Sequence, residues 1–203
     1  TSSAIAGSDI GQTLERSAAP ERAESNDEID KVVKVVPHLA VKRLLDAMVA
    51  VPAGSFFMGS NYGEPNERPV FKTQVAGFYL MAHEVTRDVY AMCVQEHACD
   101  ALDWSNERVA DVRAGDDRLP LTQLSYIGLM TQLLPWLNGL SEHRFALPDE
   151  IQWEYAAKAG TESDYYFGDK LLANRLQCDG CEGPFDGRGI APIAQFPPNE
   201  FGL

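Results

Sequence analysis

The stretch FALPDEIQWEYAAKAG, residues 145–160, carries the clearest secondary-structure signal in this chain of 203 residues. Asp149 is a favourable helix N-cap, and Gln152 follows it by three residues, as in a capping box. Gly160 stands where a helix C-cap is expected. The stretch therefore predicts a short helix with one buried face, formed by Trp153, Ala156 and Ala157.

Apolar stretches on the N-terminal side of this helix predict strands. MVAVPAGSFFMGS, residues 48–60, indicates two strands joined by a turn from Pro52 to Gly54. FKTQVAGFYLM, residues 71–81, indicates one continuous strand that enters a core.

Two further helices are predicted between these strands and residue 145. Thr86 is an N-cap, and apolar side chains follow it at helical spacing: Val89, Tyr90, Cys93 and Val94. Ser125 begins a second helix, which ends near Leu140 and should be kinked at Pro135. Residues 98–120 and 161–203 are predicted to be irregular. A few strands, three helices and long loops predict an α+β fold, because strands and helices do not alternate as they do around a parallel sheet.

The first part of the chain differs from the rest in composition. The chain has nine Phe, seven Tyr and three Trp, and all of them lie from Phe56 onward. Residues 1–30 are acidic and hold few large aliphatic side chains, so they are predicted to be a disordered tail or linker. Residues 31–47 are predicted to be a short amphipathic segment whose apolar face is Leu39, Val41, Leu44 and Leu45. The main domain is predicted to cover residues 48–203.

The net charge of the chain limits the classes of partner that are expected. Thirty acidic residues against 17 basic ones give a formal net charge of −13. A surface of that sign repels duplex nucleic acid and anionic membranes, so neither is an expected partner. The chain has no run of about 18 apolar residues, so no membrane span is predicted. Its N-terminus lacks the basic start and apolar core of an intact signal peptide.

Six stretches occur in an order that resembles one protein family. They are MVAVPAGSFFMGS, FYLMAHEVT, LPLTQLS, WLN, FALPDEIQWEYAAKAG and APIAQFPPNEFGL, spread over residues 48–203. This series resembles the formylglycine-generating enzyme family, also called the sulfatase-modifying-factor family. The resemblance implies a C-type-lectin-like fold with little regular secondary structure. The chain departs from the family at Tyr126, where Trp is usual, and at residues 146–150, where Ala-Leu-Pro-Asp-Glu replaces Arg-Leu-Pro-Thr-Glu.

The resemblance leaves the activity open. The family uses copper, held by a cysteine pair, to convert a sulfatase cysteine to formylglycine. That pair lies beyond the stretch matching residues 196–203, so copper is expected only if a C-terminal half exists. We expect a non-catalytic binding or interaction module. The alternatives are the N-terminal portion of that oxidase, a related oxidase of another substrate such as a siderophore precursor, and a regulated fragment of a larger protein.

The resemblance also predicts a covered surface. In the family, the core is built from both halves of the domain. An apolar surface near Phe196 and Phe201 is therefore expected to be covered, either by a protein partner or by a further C-terminal segment.

Four cysteines form two local pairs, Cys93 with Cys99 and Cys178 with Cys181. Two local disulfides are the preferred interpretation, and they would suit a periplasmic or secreted protein. Four free thiols, which would suit the cytoplasm, and one shared zinc site remain open. Only Cys178 and Cys181 have the spacing of zinc ligands.

The family binds calcium in a stretch comparable to residues 173–192. Carried over residue by residue, the resemblance implies four ligand residues: Asn174, Arg175, Asp186 and Arg188. The two arginines would contribute backbone oxygens only. Hard oxygens on an irregular loop suit a structural Ca²⁺ ion. The alternative is that the acidic side chains of this stretch only solvate a turn.

Other candidate residues give weaker indications of a catalytic or binding site. His83 and Glu84 are adjacent at a predicted strand end, so they point to opposite faces and are not expected to form an acid–base pair. His143 has no nucleophile arranged with it in a recognisable order. Residues 165–167, Tyr-Tyr-Phe, lie in a predicted loop and would be a binding surface, unless they pack inward as the equivalent aromatic residues of the family usually do.

Overall fold

A computed structural model describes residues 37–107, 118–180, 182–187 and 189–203. The predicted tail at 1–30, residues 31–36 of the amphipathic segment, Cys181 and Arg188 lie outside the described residues. Within the described part, no helix has the length and the apolar character needed to cross a membrane.

The first element is helix α1, Leu39–Asp46. The ring of His38 caps it by accepting a hydrogen bond from the backbone N–H of Ala40, at 3.2 Å. Ala40, Val41 and Leu44 are buried, whereas Leu39 is exposed. The prediction that Leu39 belongs to the apolar face is therefore wrong, because the neighbouring Ala40 turns inward in its place.

Four strands follow: β1 (Met48–Val51), β2 (Gly54–Met58), β3 (Phe71–Val75) and β4 (Phe78–Met81). They form two antiparallel pairs, β1 with β4 and β2 with β3. The register continues from one pair to the next, since Val51 lies opposite Phe78 and Gly54 lies opposite Val75. The four strands are thus one long two-stranded ribbon with a break between its halves.

The break in the ribbon corrects the prediction of one continuous strand over residues 71–81. On one side of the break stands Pro52, which has no backbone N–H to donate to a ladder. On the other side stands Gly77, where an added Cβ would lie 3.3 Å from the backbone nitrogen of Ala53. A side chain at residue 77 would therefore require the facing backbone to shift by a few tenths of an ångström.

The middle of the chain is helical. Helix α2 spans Arg87–Gln95. Its N-cap Thr86 is buried, forms a bridge with Pro120 and makes no side-chain capping bond. The predicted second long helix divides into α3 (Tyr126–Gly128), a π-helical turn (Leu129–Leu133) and α4 (Leu134–Gly139). Pro135 removes one helical N–H, which explains the irregular bonding just before it.

Helix α5, Glu150–Lys158, confirms the predicted capping box of Asp149 and Gln152. Its C-cap is Ala159, in a left-handed conformation with φ 46°, so the predicted position of the cap at Gly160 is one residue late. The predicted buried face is confirmed at Ala156 and wrong at Trp153 and Ala157. Tyr155 and Ala156 are buried, while Trp153 and Ala157 are exposed.

Two hydrophobic clusters form the core. The larger joins α1, α2, the π-helical turn and α4, and its members include Val41, Tyr90 and Leu137. The smaller lies between the ribbon and α5 and is centred on Phe56 and Tyr155. Gly54 is required here, because a side chain at that position would overlap the Tyr155 hydroxyl.

The aromatic residues near the end of the chain are half-buried by their own chain. Phe201 packs against Tyr155 with ring centroids 5.3 Å apart, and Phe196 packs edge-on against Phe185 at 6.2 Å. The surface expected around Phe196 and Phe201 is therefore partly covered already. A partner at this surface stays a prediction. The predicted α+β class, with little regular structure, is confirmed.

The structure joins Cys93, at the end of α2, to Cys99 in a disulfide. Both side chains are buried in the larger cluster. Cys178 is also disulfide-bonded. The predicted pairing of Cys93 with Cys99 is therefore confirmed, while the pairing of Cys178 with Cys181 stays a prediction because Cys181 lies outside the described residues. None of the three described cysteines is a free thiol.

Candidate binding groove

A groove of about 940 Å³ lies beside the smaller core cluster. Three segments form it: the loop after β2, the outer face of α5, and residues 161–167, which follow α5. We call it the aromatic groove, because six aromatic side chains line it: Phe57, Tyr62, Trp153, Tyr165, Tyr166 and Phe167.

Helix α5 supplies the central wall of the aromatic groove. Because Tyr155 and Ala156 face the smaller core cluster, Trp153 is turned towards solvent and remains 63% exposed. The capping box fixes the start of the helix. The Trp153 ring therefore stands on a backbone that is held at both its cap and its buried face.

The loop after β2 supplies the second wall. Its ends are tied by a hydrogen bond from Ser60 N–H to the Glu67 carbonyl, at 3.2 Å. The Ser60 hydroxyl accepts bonds from the backbone N–H groups of Tyr62 and Gly63, at 3.1 and 3.0 Å. Tyr62 projects from this closed loop and is 96% exposed.

Residues 165–168 supply the third wall as a tight turn. Tyr165 and Gly168 exchange two backbone hydrogen bonds, at 3.1 and 3.0 Å. The rings of Tyr165 and Phe167 are stacked, with centroids 5.2 Å apart, and Tyr166 donates a 2.6 Å hydrogen bond to the Pro197 carbonyl. Each of the two interpretations of residues 165–167 therefore holds for a different residue. Tyr165 is exposed at the groove, as expected of a binding surface, whereas Tyr166 is bonded to the chain, as expected of inward packing.

A clamp at the floor of the aromatic groove holds α5 to the end of β2. Lys158 donates to the Phe57 carbonyl at 2.8 Å and pairs with Glu154 at 2.7 Å. Glu154 also accepts the backbone N–H of Gly59 at 2.9 Å. The cation of Lys158 is therefore used within the fold, and its charge is balanced by Glu154.

Four further carboxylates line the aromatic groove: Glu67, Glu150, Glu162 and Asp164. All four are exposed, and none of them has a cationic partner within the part of the chain that the structure describes. The walls therefore combine apolar rings with net negative charge.

Three of the four predicted calcium residues, Asn174, Arg175 and Asp186, lie within the described residues, and Arg188 lies outside them. The Asp186 carboxylate accepts the backbone N–H groups of Gly180 and Glu182, both at 2.8 Å. These backbone hydrogen bonds are the main reason that the pKa of Asp186 lies below its usual value. The Arg175 carbonyl is 3.5 Å from the Tyr166 hydroxyl, and Asn174 has a left-handed φ of 64°. Among the described residues, no three His, Cys, Asp or Glu side chains form a metal cluster.

The two histidines singled out in the sequence, His83 and His143, bond only to neighbouring residues among those that the structure describes. The ring of His83 bonds to the Glu84 carbonyl at 2.8 Å, so its partner is backbone and not the Glu84 carboxylate. The backbone N–H of His143 bonds to the Ser141 hydroxyl at 3.0 Å.

Sequence reasoning missed most of the aromatic groove. Tyr62 lies in a polar loop, and Trp153 was assigned to the core. One signal was available: Trp153 and Tyr155 are two residues apart on a helix, so both cannot lie at the centre of the same face.

These observations define a loop-rich α+β domain that carries a solvent-open aromatic groove on its described surface. The chain belongs to the family described as the sulfatase-modifying factor enzyme 1-like domain, whose profile matches residues 34–203. Among characterised proteins, the formylglycine-generating enzyme of Mycobacterium tuberculosis is 26% identical over 227 aligned positions, covering 79% of this chain and 70% of that enzyme.

Other relatives carry different names. The serine/threonine-protein kinase pkn1 of Chlamydia caviae is 24% identical over 79% of this chain, but the match covers only 26% of the kinase. The solved structure of PvdO from Pseudomonas aeruginosa superposes with a TM-score of 0.57, at 23% identity, over 77% of this chain and 65% of PvdO. That likeness establishes the fold.

Proposed function

We propose that this chain is a binding domain of the sulfatase-modifying factor family and that it takes a protein segment into the aromatic groove. The observation that carries the proposal is the exposure of Trp153 and Tyr62 on walls that the fold holds in place. Large aromatic side chains that are exposed on an ordered backbone are typical of binding surfaces, because they offer contact area at a low cost in conformational entropy.

The names of the relatives indicate that membership of the family does not by itself determine the activity of a domain. The matching region covers 70% of a protein named for formylglycine generation and 26% of a protein named as a kinase. The same fold therefore occurs in proteins with different named activities, and function has to be argued from the site.

A peptide library displayed on beads tests this proposal. The wild-type chain is expected to enrich a set of sequences, and Trp153→Gln is expected to lose that enrichment. Tyr79→Gln is the matched control, because Tyr79 is 73% exposed but does not line the aromatic groove. Equal enrichment by the wild type and Trp153→Gln would contradict the proposal.

A second candidate is part of an oxidase, and the relatives named formylglycine-generating enzyme favour it. Copper chemistry in the family needs thiolates. The family's copper pair lies beyond the stretch matching residues 196–203, so Cys93, Cys99 and Cys178, which are disulfide-bonded, are not that pair, and we derive no step through copper. The test is mass spectrometry of a cysteine-containing sulfatase peptide after incubation with the protein purified from its native source, copper and oxygen. Conversion of that cysteine would establish the oxidase.

We also propose a structural calcium ion at residues 174–188. Its support is the donor chemistry of Asn174, Asp186 and the Arg175 carbonyl, which are hard oxygens of the class that Ca²⁺ prefers. Arg188, the fourth predicted ligand, lies outside the described residues. Thermal unfolding should shift to higher temperature with CaCl₂ but not with MgCl₂, and Asp186→Asn should abolish that shift.

We propose a periplasmic or secreted location. The support is the disulfide between Cys93 and Cys99, since disulfides persist in oxidising compartments. Trapping thiols with an alkylating reagent in intact cells that express the chain should leave both cysteines unmodified.

A further inference from the structure

We infer that the segment bound in the aromatic groove is basic, and that one of its Lys or Arg side chains lies between Trp153 and the groove carboxylates. This inference rests on the proposed function, since it names the chemistry of the ligand for the same site. Three observations carry it: the charge of the walls, the exposed aromatic faces, and the open form of the groove.

The charge of the walls selects a cationic ligand. Lys158 is the cation of the groove, and it is already paired with Glu154 and bonded to the Phe57 carbonyl. The four remaining carboxylates have no cationic partner in the described part of the chain. An acidic segment would be repelled, whereas a basic one would be attracted by these carboxylates and by the net charge of −13.

The aromatic faces suit the same ligand. A Lys or Arg cation over the face of a Trp or Tyr ring is stabilised by the ring quadrupole. The ribbon already uses this contact internally, with Lys158 Nζ 5.7 Å from the Phe56 ring and Lys72 Nζ 5.9 Å from the Phe57 ring. Trp153 and Tyr62 offer exposed rings beside carboxylates, which is the combination that a basic side chain requires.

The form of the groove favours a chain segment over a small molecule. Small ligands are usually enclosed, with most of their surface buried in a pocket of about 300–1,000 Å³. The aromatic groove is at the upper end of that size and is open to solvent, with Tyr62 and Trp153 mostly exposed on two of its walls. An extended segment fills such a groove with several side chains and leaves its ends in solvent.

The test is fluorescence anisotropy with three labelled peptides of equal length, in which Ser-Gly repeats alternate with Lys and Arg, with Gln, or with Glu. The wild-type chain is expected to bind the basic peptide, at least tenfold more weakly the Gln peptide, and not the Glu peptide. Binding should weaken as NaCl is raised from 50 to 500 mM, because exposed charges are screened.

Variants locate the interaction. Glu150→Gln combined with Glu162→Gln should weaken binding of the basic peptide about fivefold, in line with small contributions from exposed charges. Trp153→Gln should weaken it at least tenfold, while Tyr79→Gln should bind as the wild type does. Circular dichroism and the unfolding midpoint show whether each variant is folded.

The outcomes separate the two proposals. Trp153-dependent binding without preference among the three peptides would overturn the basic ligand and leave the binding domain. Absence of any Trp153-dependent binding in both this assay and the library would overturn both. Binding of the basic peptide that is unchanged in Trp153→Gln would show non-specific attraction and overturn the inference. Competition by free arginine at the concentration of the peptide would also overturn it, in favour of a small cation.

Discussion

The helical side of the molecule holds a charged pair that is mostly buried, whereas the groove side leaves carboxylates exposed to solvent. On the helical side, Arg87 and Glu107 form an ion pair in which each side chain is only 13% exposed. Thr122 donates to Glu107 at 2.7 Å, and the Arg87 guanidinium lies 5.0 Å from the Trp104 ring. On the groove side, carboxylates and aromatic rings face solvent. A charge that is buried with partners stabilises a fold, whereas exposed charges beside exposed rings are available to a ligand.

The largest expected effect comes from breaking the buried ion pair. Arg87→Ala would leave Glu107 without its cation and remove the bond to the Pro120 carbonyl. We expect a loss of about 3 kcal/mol in the free energy of unfolding, measured by urea denaturation, because an uncompensated charge remains in a mostly buried site. Lys170→Ala is the control for loss of an exposed cation. A loss below about 1 kcal/mol would show that the pair is not a stabilising element.

The disulfide should have the next largest effect on the same side. Cys93→Ala with Cys99→Ala opens a short loop at the end of α2. A loss of about 2 kcal/mol is expected, since the cross-link restricts the unfolded chain. Urea denaturation of the double variant and the wild type, both without reductant, measures the difference, because a reductant would also open the disulfide of Cys178. Equal stability of the double variant and the wild type would mean that the disulfide is not formed in the protein.

A smaller, pH-dependent effect distinguishes the buried carboxylate from the exposed ones. Burial raises the pKa of Glu107, but hydrogen bonds from Thr122 and Gln123 and the charge of Arg87 outweigh burial, so the pKa is lowered overall. A lowered folded pKa stabilises the protein above the unfolded pKa of about 4.3, and this stabilisation is lost as pH falls through the folded value.

Urea denaturation between pH 7 and pH 3 measures this effect. The difference in unfolding free energy between wild type and Glu107→Gln should be constant at neutral pH and shrink below about pH 4.3. The matched comparison is Glu150→Gln at the groove, whose difference from the wild type should be small throughout because Glu150 is exposed. A Glu107→Gln difference that grows on acidification would contradict the account.

Local sequence patterns predicted the positions of the helices and strands better than they predicted which face of each is buried. The capping box at Asp149 was predictable because both of its hydrogen bonds join residues three apart. The buried face of α5 was not predictable from local sequence. Tyr155 is buried because its ring packs against Phe56 and Phe201, which are distant in sequence. The break in the ribbon likewise depends on Pro52 and Gly77 meeting across two strands.

The aromatic groove shows the same limit more strongly. Its walls come from a loop near residue 62, a helix near residue 153 and a turn near residue 165. No single stretch supplies all three walls, so the motifs that identified the family did not identify the site. Residues 165–167 were a predicted binding surface, and only Tyr165 is exposed there.

A substitution in the aromatic groove is expected to have the smallest effect on stability and the largest effect on binding. Trp153→Gln should change the free energy of unfolding by less than about 0.5 kcal/mol, because the side chain is mostly in solvent. A loss above about 1 kcal/mol in urea denaturation would instead assign Trp153 to the core.

The most direct test of the groove as the functional site is a titration of the isotope-labelled chain with the basic peptide, followed by NMR. We expect the largest chemical-shift changes at the Trp153 indole N–H and at the backbone amides of Tyr62 and Asp164, with none at Tyr79. Changes that centre on Tyr79, or that spread evenly over the surface, would contradict the assignment of the groove as the binding site.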